Sequence, residues 1–406
     1  MAEVLRTQCC IAGGGPAGAM LGLLLARRGL DVVVLEKHAD FLRDFRGDTI
    51  HPSTMEVLDE IGLANAFLDL EPNRVTHLRG STPAGTITVA DFRDLPSRFP
   101  FVALIPQWDF LDFLTREAAA YPGFHLRMCA EATGLIEEDG VVRGVRFDGP
   151  AGAGEVRATL TVAADGRSSA LRRAAGLPVR ETSPPIDVLW FRLPRAAADP
   201  DDSAGYLGDG HIVALINRRE YWQIAYVIPK GSAERLREAG IETLRATLRE
   251  LVPELADRVD QLTGWDRVSV LSVQSNRLRR WHRPGLLCIG DAAHAMSPVG
   301  GVGINFAIQD AVVAANVLAE PIRRGRVTSR QLAAVQRRRA WQVWIMQLLQ
   351  ALALRGALRA SGTGPRPAGG TGASQGLGGR ILNARPSLRL RSRLVGLGVG
   401  RAHVRS

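Results

Sequence analysis

The chain has 406 residues, 46% of them hydrophobic and 23% charged, so it can bury a full core and has an ordinary globular composition. Its net charge of +10 comes from one end: residues 351–406 hold ten of the 51 basic residues and no acidic one, which leaves 41 basic and 41 acidic residues in 1–350. Because the body is neutral and shows no basic residues interleaved with aromatic ones, the charge does not indicate a nucleic-acid-binding protein.

The sequence shows no sign of export or of membrane insertion. No uninterrupted apolar run approaches the ~20 residues that span a bilayer, and the N-terminal residues lack the pattern of a signal peptide. Of the four cysteines, Cys9 and Cys10 are adjacent, whereas Cys129 and Cys288 are isolated. This spacing provides neither a disulfide framework nor a metal site, so we expect a cytoplasmic protein without a metal.

The first elements in the chain form a βαβ unit over residues 7–37. A glycine fingerprint, Gly13-x-Gly15-x-Ala17-Gly18, lies between the first strand and the helix, and Glu36 and Lys37 end the second strand. This pattern predicts that a dinucleotide pyrophosphate lies at the helix N-terminus and that Glu36 binds a ribose hydroxyl. It does not distinguish NAD from FAD.

A second strand, turn and helix follow further along the chain. A helix is predicted near Pro52, strands at 85–90 and 101–105, a helix at 108–120 and strands over 124–163. The stretch 162–176 then carries Asp165-Gly166 after an apolar strand, with Ser169 at a helix N-cap position. By itself this is an ordinary strand-turn-helix.

The stretch 186–229 is rich in β-branched and aromatic residues and predicts a second, antiparallel sheet. A helix over 232–260 precedes a strand at 285–289, which ends in Asp291. A carboxylate at a strand tip needs a partner, and a ligand hydroxyl would provide one. Glycines 300, 301 and 303 allow the chain to lie flat against a planar ring, and the helix from Ile304 directs its positive end at that ring.

Residues 304–359 read as helical, and 361–379 as a glycine-rich linker before a basic tail. The helical part places Arg337, Arg338 and Arg339 before an apolar run. We favour a bundle helix packed on the body over a membrane-surface helix, because Gln342, Gln347 and Gln350 interrupt that run.

In this order and at these separations, the three motifs resemble the class A flavoprotein monooxygenases, the para-hydroxybenzoate hydroxylase family, over about residues 7–345. The resemblance implies an α/β fold: a glutathione-reductase-type, FAD-binding Rossmann domain, interrupted by an antiparallel-sheet substrate domain, with C-terminal helices. The expected FAD-binding parts are 1–75, 101–180 and 276–320. The expected substrate-domain parts are 76–100 and 181–275, followed by C-terminal helices at 321–360 and a linker and tail at 361–406.

The resemblance also implies functional residues. It assigns cofactor contacts to the residues Gly13, Gly15, Ala17, Gly18, Glu36, Lys37, Arg46, Gln107, Asp165, Asp291, Gly301, Gly303, Ile304 and Asn305. Pro298 matches a proline whose carbonyl faces the reacting centre, and Trp222 lies near a position that lines the substrate cavity. Sheet packing is an equally good interpretation of Trp222.

The activity implied is that of an FAD-dependent monooxygenase. NAD(P)H reduces FAD, oxygen adds to give a flavin hydroperoxide, and one oxygen atom passes to an aromatic or polyketide-like small molecule. The protein is then a monomer or homodimer whose partners are this substrate and O2, with no membrane contact expected. Three alternatives stay open: a flavin dehydrogenase or reductase, a flavin-dependent halogenase, and a membrane-peripheral flavoprotein with structural FAD. The halogenase motif W-x-W-x-I is absent, and Trp341 and Trp344 are expected to pack on one helical face.

Overall fold

The structure is a computed structural model that describes residues 3–42, 49–82, 85–200, 203–361 and 385–405. The strands are β1 (Glu3–Ala12), β2 (Val32–Leu35), β3 (Thr49–Ile50), β4 (Asn73–Val75), β5 (His77–Thr82), β6 (Gly85–Asp91), β7 (Val102–Leu104), β8 (Phe124–Arg127), β9 (Glu131–Glu138), β10 (Val141–Gly149), β11 (Gly152–Ala163), β12 (Val179–Glu181), β13 (Ile186–Pro194), β14 (Ala204–Gly208), β15 (His211–Asn217), β16 (Tyr221–Pro229), β17 (Ser269–Ser272), β18 (Asn276–Leu278), β19 (His282–Arg283) and β20 (Leu286–Cys288). The α-helices are α1 (Pro16–Ala26), α2 (Pro52–Glu60), α3 (Ala64–Leu68), α4 (Gln107–Ala119), α5 (Ala170–Ala174), α6 (Ala233–Glu238), α7 (Ile241–Leu251), α8 (Gly303–Arg323), α9 (Ser329–Ala360) and α10 (Arg385–Gly396).

The first sheet has the strand order β19-β20-β11-β1-β2-β8, with the β9–β10 hairpin added to β11. Strands β20, β11, β1, β2 and β8 are parallel. In the register, Ala12 pairs with Ala163, and Ala163 pairs with Cys288. The three motif-bearing loops therefore leave the sheet from one edge, which is where ligands bind in sheets of this type.

The second sheet has the order β17-β13-β16-β15-β14-β5-β6 and is antiparallel except where β14 runs parallel to β5. Leu189, Phe191 and Trp222 on one face pack against Leu244 and Leu248 of α7. On the other face, Val188 and Ala225 pack with Leu354 of α9, beside Val299. The predicted antiparallel sheet is confirmed, and its second face is the one that lies toward the 298–301 loop.

Two predicted helices are interrupted. The helix expected over 232–260 consists of α6 and α7, separated by Gly240 at φ 86°, followed by short 3-10 turns. The helical stretch expected over 304–359 is divided into α8 and α9 beside Gly325, which has φ 70°. Glycine is favoured in this left-handed conformation because it has no Cβ, so both breaks follow from local sequence.

Helix α8 lies in the hydrophobic core beside the first sheet. The segment Val299–Arg323 is long and apolar enough to cross a bilayer by composition alone, but 83% of its most apolar window is buried inside the protein. Asp310 on this helix is fully buried and lies between two basic side chains: its Oδ2 is 2.6 Å from His294 Nε2, and its Oδ1 accepts from Arg339 Nε at 2.7 Å. His294 also packs on Trp281.

Helix α9 packs on the body as predicted, but with its polar side inward. Gln347 donates to the carbonyls of Asn276 and Ala295 at 2.9 and 3.1 Å, and Gln350 donates to those of Ser297 and Val299 at 2.8 and 2.7 Å. The expectation that Trp341 and Trp344 pack on the body is wrong, because they are 49% and 50% exposed on the opposite side of the helix.

The end of the chain returns to the body. Residues 362–384, which include most of the predicted linker, lie outside the described residues. We call residues 395–405 the C-terminal strap. Its Val395 carbonyl lies 2.6 Å from His51 Nδ1, its Gly400 carbonyl accepts from Gln342 at 3.3 Å, and Ala402 N donates to Gln309 at 2.6 Å. The strap therefore joins α8 and α9 to the start of α2.

Replacing Arg339 should strongly destabilise the fold. Burial opposes ionisation of Asp310, but His294 and Arg339 outweigh it and hold the pKa of this carboxyl below its ordinary value. We expect Arg339→Ala to lower the free energy of unfolding by about 3–5 kcal/mol, because it leaves a buried charge without one of its partners. The neighbouring, exposed Arg338→Ala is the control and should change it by less than about 0.5 kcal/mol. Urea unfolding measures both; equal effects would contradict the assigned role of the buried pair.

His51 should make stability depend on pH. Burial lowers the pKa of this histidine to about 4, although the bond to the Val395 carbonyl partly offsets the effect. Between pH 6.5, the ordinary value, and about 4, the unfolded chain binds a proton that the folded one excludes. Stability is therefore full above this window and falls as pH drops through it, by up to roughly 3 kcal/mol.

A His51→Gln variant should flatten this slope in urea unfolding measured across the window. The control is His125→Gln, which replaces an exposed imidazole on β8 and should leave the slope in place. A parent protein whose unfolding free energy does not change between these pH values would disprove the assignment.

Candidate active site

The first loop follows β1 and enters α1. A Cβ at Gly13, which has φ 105°, would collide with the Ala164 carbonyl, and one at Gly18 would collide with the Gly13 carbonyl. A Cβ at Gly15 would meet nothing within 4 Å. Gly13 and Gly18 thus allow close packing, whereas Gly15 leaves open space at the N-terminus of α1, beside the buried Ala17. This space and the free N–H groups of the helix suit a pyrophosphate.

Glu36 lies at the end of β2 and is directed at the same loop. Its Oε2 accepts from Gly14 N at 3.0 Å, its Oε1 accepts from His38 N at 3.1 Å, and the residue is buried. Lys37 points elsewhere: its ammonium group lies 4.0 Å from Glu131, and both side chains are more than half exposed. The cofactor contact of Lys37 stays a prediction.

The second loop follows β11. Asp165 Oδ2 accepts from Leu171 N at 3.1 Å, whereas Oδ1 is buried without a hydrogen-bond partner among the described residues. Ser169 caps α5, as predicted, by accepting from Arg172 N at 2.9 Å. The Arg172 guanidinium donates to the Ala292 carbonyl at 3.1 Å, which ties this loop to the third. The unpaired oxygen of Asp165 is free to accept from a ligand hydroxyl.

The third loop follows β20 and packs against the first. A Cβ at Gly290, which has φ 58°, would lie 2.9 Å from the Cβ of Ala17. Gly290 N donates to Asp310 Oδ2 at 3.0 Å, so the buried carboxylate holds the backbone of this turn. Asp291 follows directly and is partly buried, and in the described part of the chain no side chain or backbone group hydrogen-bonds to its carboxylate. The partner predicted for Asp291 is therefore not a protein group of the described chain.

The loop then forms a glycine-lined floor. Gly301 N donates to the Pro298 carbonyl at 3.0 Å, and Gly300 and Gly301 have φ values of 78° and 61°. Gly303 begins α8, and a Cβ there would meet nothing within 4 Å. Val302, at the N-cap, has no side chain that could cap the helix. Helix α8 thus begins without a side-chain cap, and the space beside Gly303 is open, as a planar ring with developing negative charge requires.

Asn305 has a role that the sequence did not reveal. Its Oδ1 accepts from His51 N at 2.9 Å and from Thr54 Oγ1 at 2.7 Å, and its Nδ2 donates to the Thr49 carbonyl at 3.1 Å. Thr49 Oγ1 in turn donates to the Gly301 carbonyl at 2.6 Å. The side chain of Asn305 is therefore committed to holding β3, α2 and the glycine floor together, which leaves its backbone for a ligand.

Cofactor contacts are also predicted for Gln107 and Arg46, and both stay predictions. Gln107 is the first residue of α4 and is partly buried, after Pro106 at the N-cap. Arg46 lies outside the described residues. The structure thus brings together the glycine loops, Glu36, Asp165, Asp291 and the start of α8, while Lys37 points away from them.

Trp222 does not line the cavity. Its side chain packs with Leu244 and Leu248 on the α7 side of the sheet, and its indole N–H donates to Asp199 at 2.8 Å. The predicted catalytic placement of Trp222 is wrong because side chains alternate along a strand, so Trp222 and Ala225 occupy opposite faces. Sheet packing, the alternative interpretation, is the one that the structure supports.

Sequence reasoning missed the polar pair on the inner face of this sheet. Gln223 lies two residues from Ala225, so it shares the face toward the glycine floor, and it is buried. Its Oε1 accepts from Arg218 Nε at 2.9 Å. Arg218 itself is half-buried. Once Ala225 is known to face inward, the alternation of side chains along the strand identifies Gln223 as inward too.

The chain matches a family of known proteins over most of its length. The FAD binding domain family matches residues 6–347. The 6-methylpretetramide 4-monooxygenase of Streptomyces rimosus is 37% identical over 354 residues, which cover 85% of this chain and 84% of that protein.

Solved structures share the fold at lower identity. The p-nitrophenol 4-monooxygenase of Pseudomonas putida has a TM-score of 0.78 at 20% identity, with 98% of this chain and 100% of that one covered. A flavin-dependent halogenase has a TM-score of 0.76 at 19% identity, with 98% and 74% covered. The fold alone therefore does not separate hydroxylases from halogenases, whereas the family match and the 37% identical relative agree with the geometry of the three loops. The chain belongs to the FAD-binding-domain family and is an FAD-dependent oxidoreductase of the monooxygenase type.

Proposed function

We propose that this enzyme uses NAD(P)H and O2 to hydroxylate a polycyclic aromatic molecule of the polyketide type. The observation that carries the proposal is the 37% identity, over 85% of the chain, to a protein named as a 6-methylpretetramide 4-monooxygenase. We place this activity in the cytoplasm, in line with four free cysteines of which three are buried.

The residues present fit FAD. The open space at Gly15 and the N-terminus of α1 would hold the pyrophosphate, Glu36 a ribose, and Asp165 and Asp291 the hydroxyl groups of the extended cofactor. The glycine floor from Gly300 to Gly303 would lie against the ring. When bound, FAD supplies the redox and oxygen-transfer chemistry, while the protein supplies orientation and exclusion of water.

The substrate would lie between the glycine floor and the inner face of the second sheet. Val188, Ala225 and Leu354 give this region an apolar wall. Arg218 and Gln223 add polar groups that suit a phenolic oxygen, because a nearby guanidinium stabilises a phenolate. An electron-rich phenolate is the form of an aromatic ring that accepts an oxygen atom most readily.

The structure gives no support to the halogenase alternative. Trp341 and Trp344 lie on the outer surface of α9, away from the glycine floor, so they cannot line a channel to the substrate. A reductase remains distinguishable by experiment, because it would not incorporate oxygen into its product.

Asp291→Ala should sharply weaken flavin retention. The carboxylate has no protein partner in the described chain, and its proposed partner is the polyhydroxyl chain of FAD; we expect the FAD dissociation constant to rise by at least about tenfold, as for the loss of a charged hydrogen bond. Flavin absorbance after gel filtration measures this. The control is Asp266→Ala, an exposed carboxylate on the substrate domain. A variant as yellow as the parent would contradict the role of Asp291.

Gln223→Leu should raise KM for the aromatic substrate by about tenfold, because it removes a hydrogen-bonding group from the proposed cavity, while FAD binding stays unchanged. Trp222→Phe, on the other face of the same strand, should leave KM unchanged and lower stability. The assay follows NADPH oxidation with hydroxylated polycyclic phenols, and mass spectrometry detects an oxygen atom gained from labelled O2. NADPH oxidation that yields product without labelled oxygen would establish a reductase instead.

A further inference from the structure

The outer face of α9 carries an apolar surface that the FAD-dependent reaction does not use. Trp341, Trp344, Leu348 and Leu352 are 49%, 50%, 44% and 51% exposed. We call these four residues the outer stripe. At about 100° of rotation per residue, they lie on one side of the helix and extend for about 16 Å. A continuous apolar surface of this kind marks an interaction site more often than scattered exposed residues do.

Arginines flank the outer stripe at both ends. Arg337 and Arg338 precede it and Arg355 and Arg359 follow it, all exposed and on the same side of the helix. Helix α9 contains no Asp or Glu, and no acidic residue follows Glu320 anywhere in the chain. Every charged side chain that α9 itself presents beside the outer stripe is therefore basic.

The packing of α9 on the body fixes the outward orientation of the outer stripe. Gln347 and Gln350 hydrogen-bond to four backbone carbonyls in the 276–299 region, and Arg339 pairs with the buried Asp310. Rotating the helix to bury the tryptophans would break these bonds and leave buried polar groups unpaired, at a cost that apolar burial would not offset. The exposure of the outer stripe is thus imposed by the structure on the other side of the helix.

The charge pattern distinguishes between two possible partners of the outer stripe, a second copy of this chain and an anionic surface. In a symmetric dimer through α9, the arginines of one copy would face arginines of the other, whether the helices ran parallel or antiparallel. Like charges repel, so self-association through this face is disfavoured. An anionic surface would instead attract all four arginines while the leucines and indoles enter its apolar layer.

We propose that the outer stripe of α9 docks this enzyme on the surface of an anionic phospholipid bilayer. Tryptophan is favoured at the boundary between headgroups and acyl chains, because it presents an apolar ring and a polar N–H. The helix would lie in the plane of the interface with the flanking arginines at the phosphates. This revises the expectation of no membrane contact, which rested on Gln342, Gln347 and Gln350 as interruptions of the apolar run.

The test uses the FAD-bound, full-length enzyme and two sets of vesicles, one of phosphatidylcholine alone and one of phosphatidylcholine mixed with phosphatidylglycerol. We expect co-sedimentation with the anionic vesicles that weakens as salt is added. Leu348→Gln/Leu352→Gln should lower the partition coefficient by about tenfold or more, since apolar burial and charge act together in such helices. This leucine variant keeps Trp341 and Trp344. Their fluorescence emission should shift on vesicle binding in the parent but not in the variant.

The matched control is Val4→Gln, which replaces a similarly exposed apolar residue on β1 and should bind like the parent. Arg355→Gln/Arg359→Gln should weaken binding to the anionic vesicles and reduce its salt dependence. Flavin absorbance confirms that each variant is folded. No sedimentation of the parent, equal binding by the leucine variant, or a dimer in analytical ultracentrifugation that the leucine variant abolishes would each overturn the proposal.

Discussion

The pairing of the buried Asp310 carboxylate is the interaction on which the active-site region depends. It accepts from the Gly290 backbone, contacts His294 in the third loop, and pairs with Arg339 of α9. This one ionised group thus sets the turn that presents Asp291 and fixes α9 against α8. Arg339 also donates to Gln342, and Gln342 donates to the Gly400 carbonyl, so the same network includes the C-terminal strap. A carboxylate without solvent is tolerated only where charge and hydrogen bonds compensate it, so these elements must form together.

The parts of the fold predictable from sequence were those that local chemistry determines. Gly13 and Gly18 are required where a Cβ would collide with backbone, Ser169 caps the short helix beside it, and apolar strands precede all three loops. The convergence of these loops follows from parallel strands ending at one edge. Each feature can be recognised within a few residues, which is why a sequence alone revealed it.

The failures share a different cause, since each depended on partners distant in the chain. Trp222 was placed on the wrong face because a strand of alternating residues does not reveal which face a helix will cover. The Gln347 and Gln350 side chains looked like interruptions of an apolar helix, yet they are the inward groups, because their acceptors are carbonyls about 50 to 70 residues away. The structural role of Asn305 was missed for the same reason, because its side-chain amide bonds to residues 49–54. Its predicted cofactor contact stays a prediction.

Helix α9 connects the two functions proposed for this chain. On its inner side, Gln350 donates to the carbonyls of Ser297 and Val299, next to Pro298 and the glycine floor. Its outer side presents the outer stripe. A single helix that is hydrogen-bonded on one side cannot shift on a surface without moving the loop beneath it. The Gln350 side chain therefore links the helix that carries the outer stripe to the loop that carries Pro298. Hydrogen bonds from the buried Gln347 and Gln350 specify the position of α9 more strictly than apolar packing alone would.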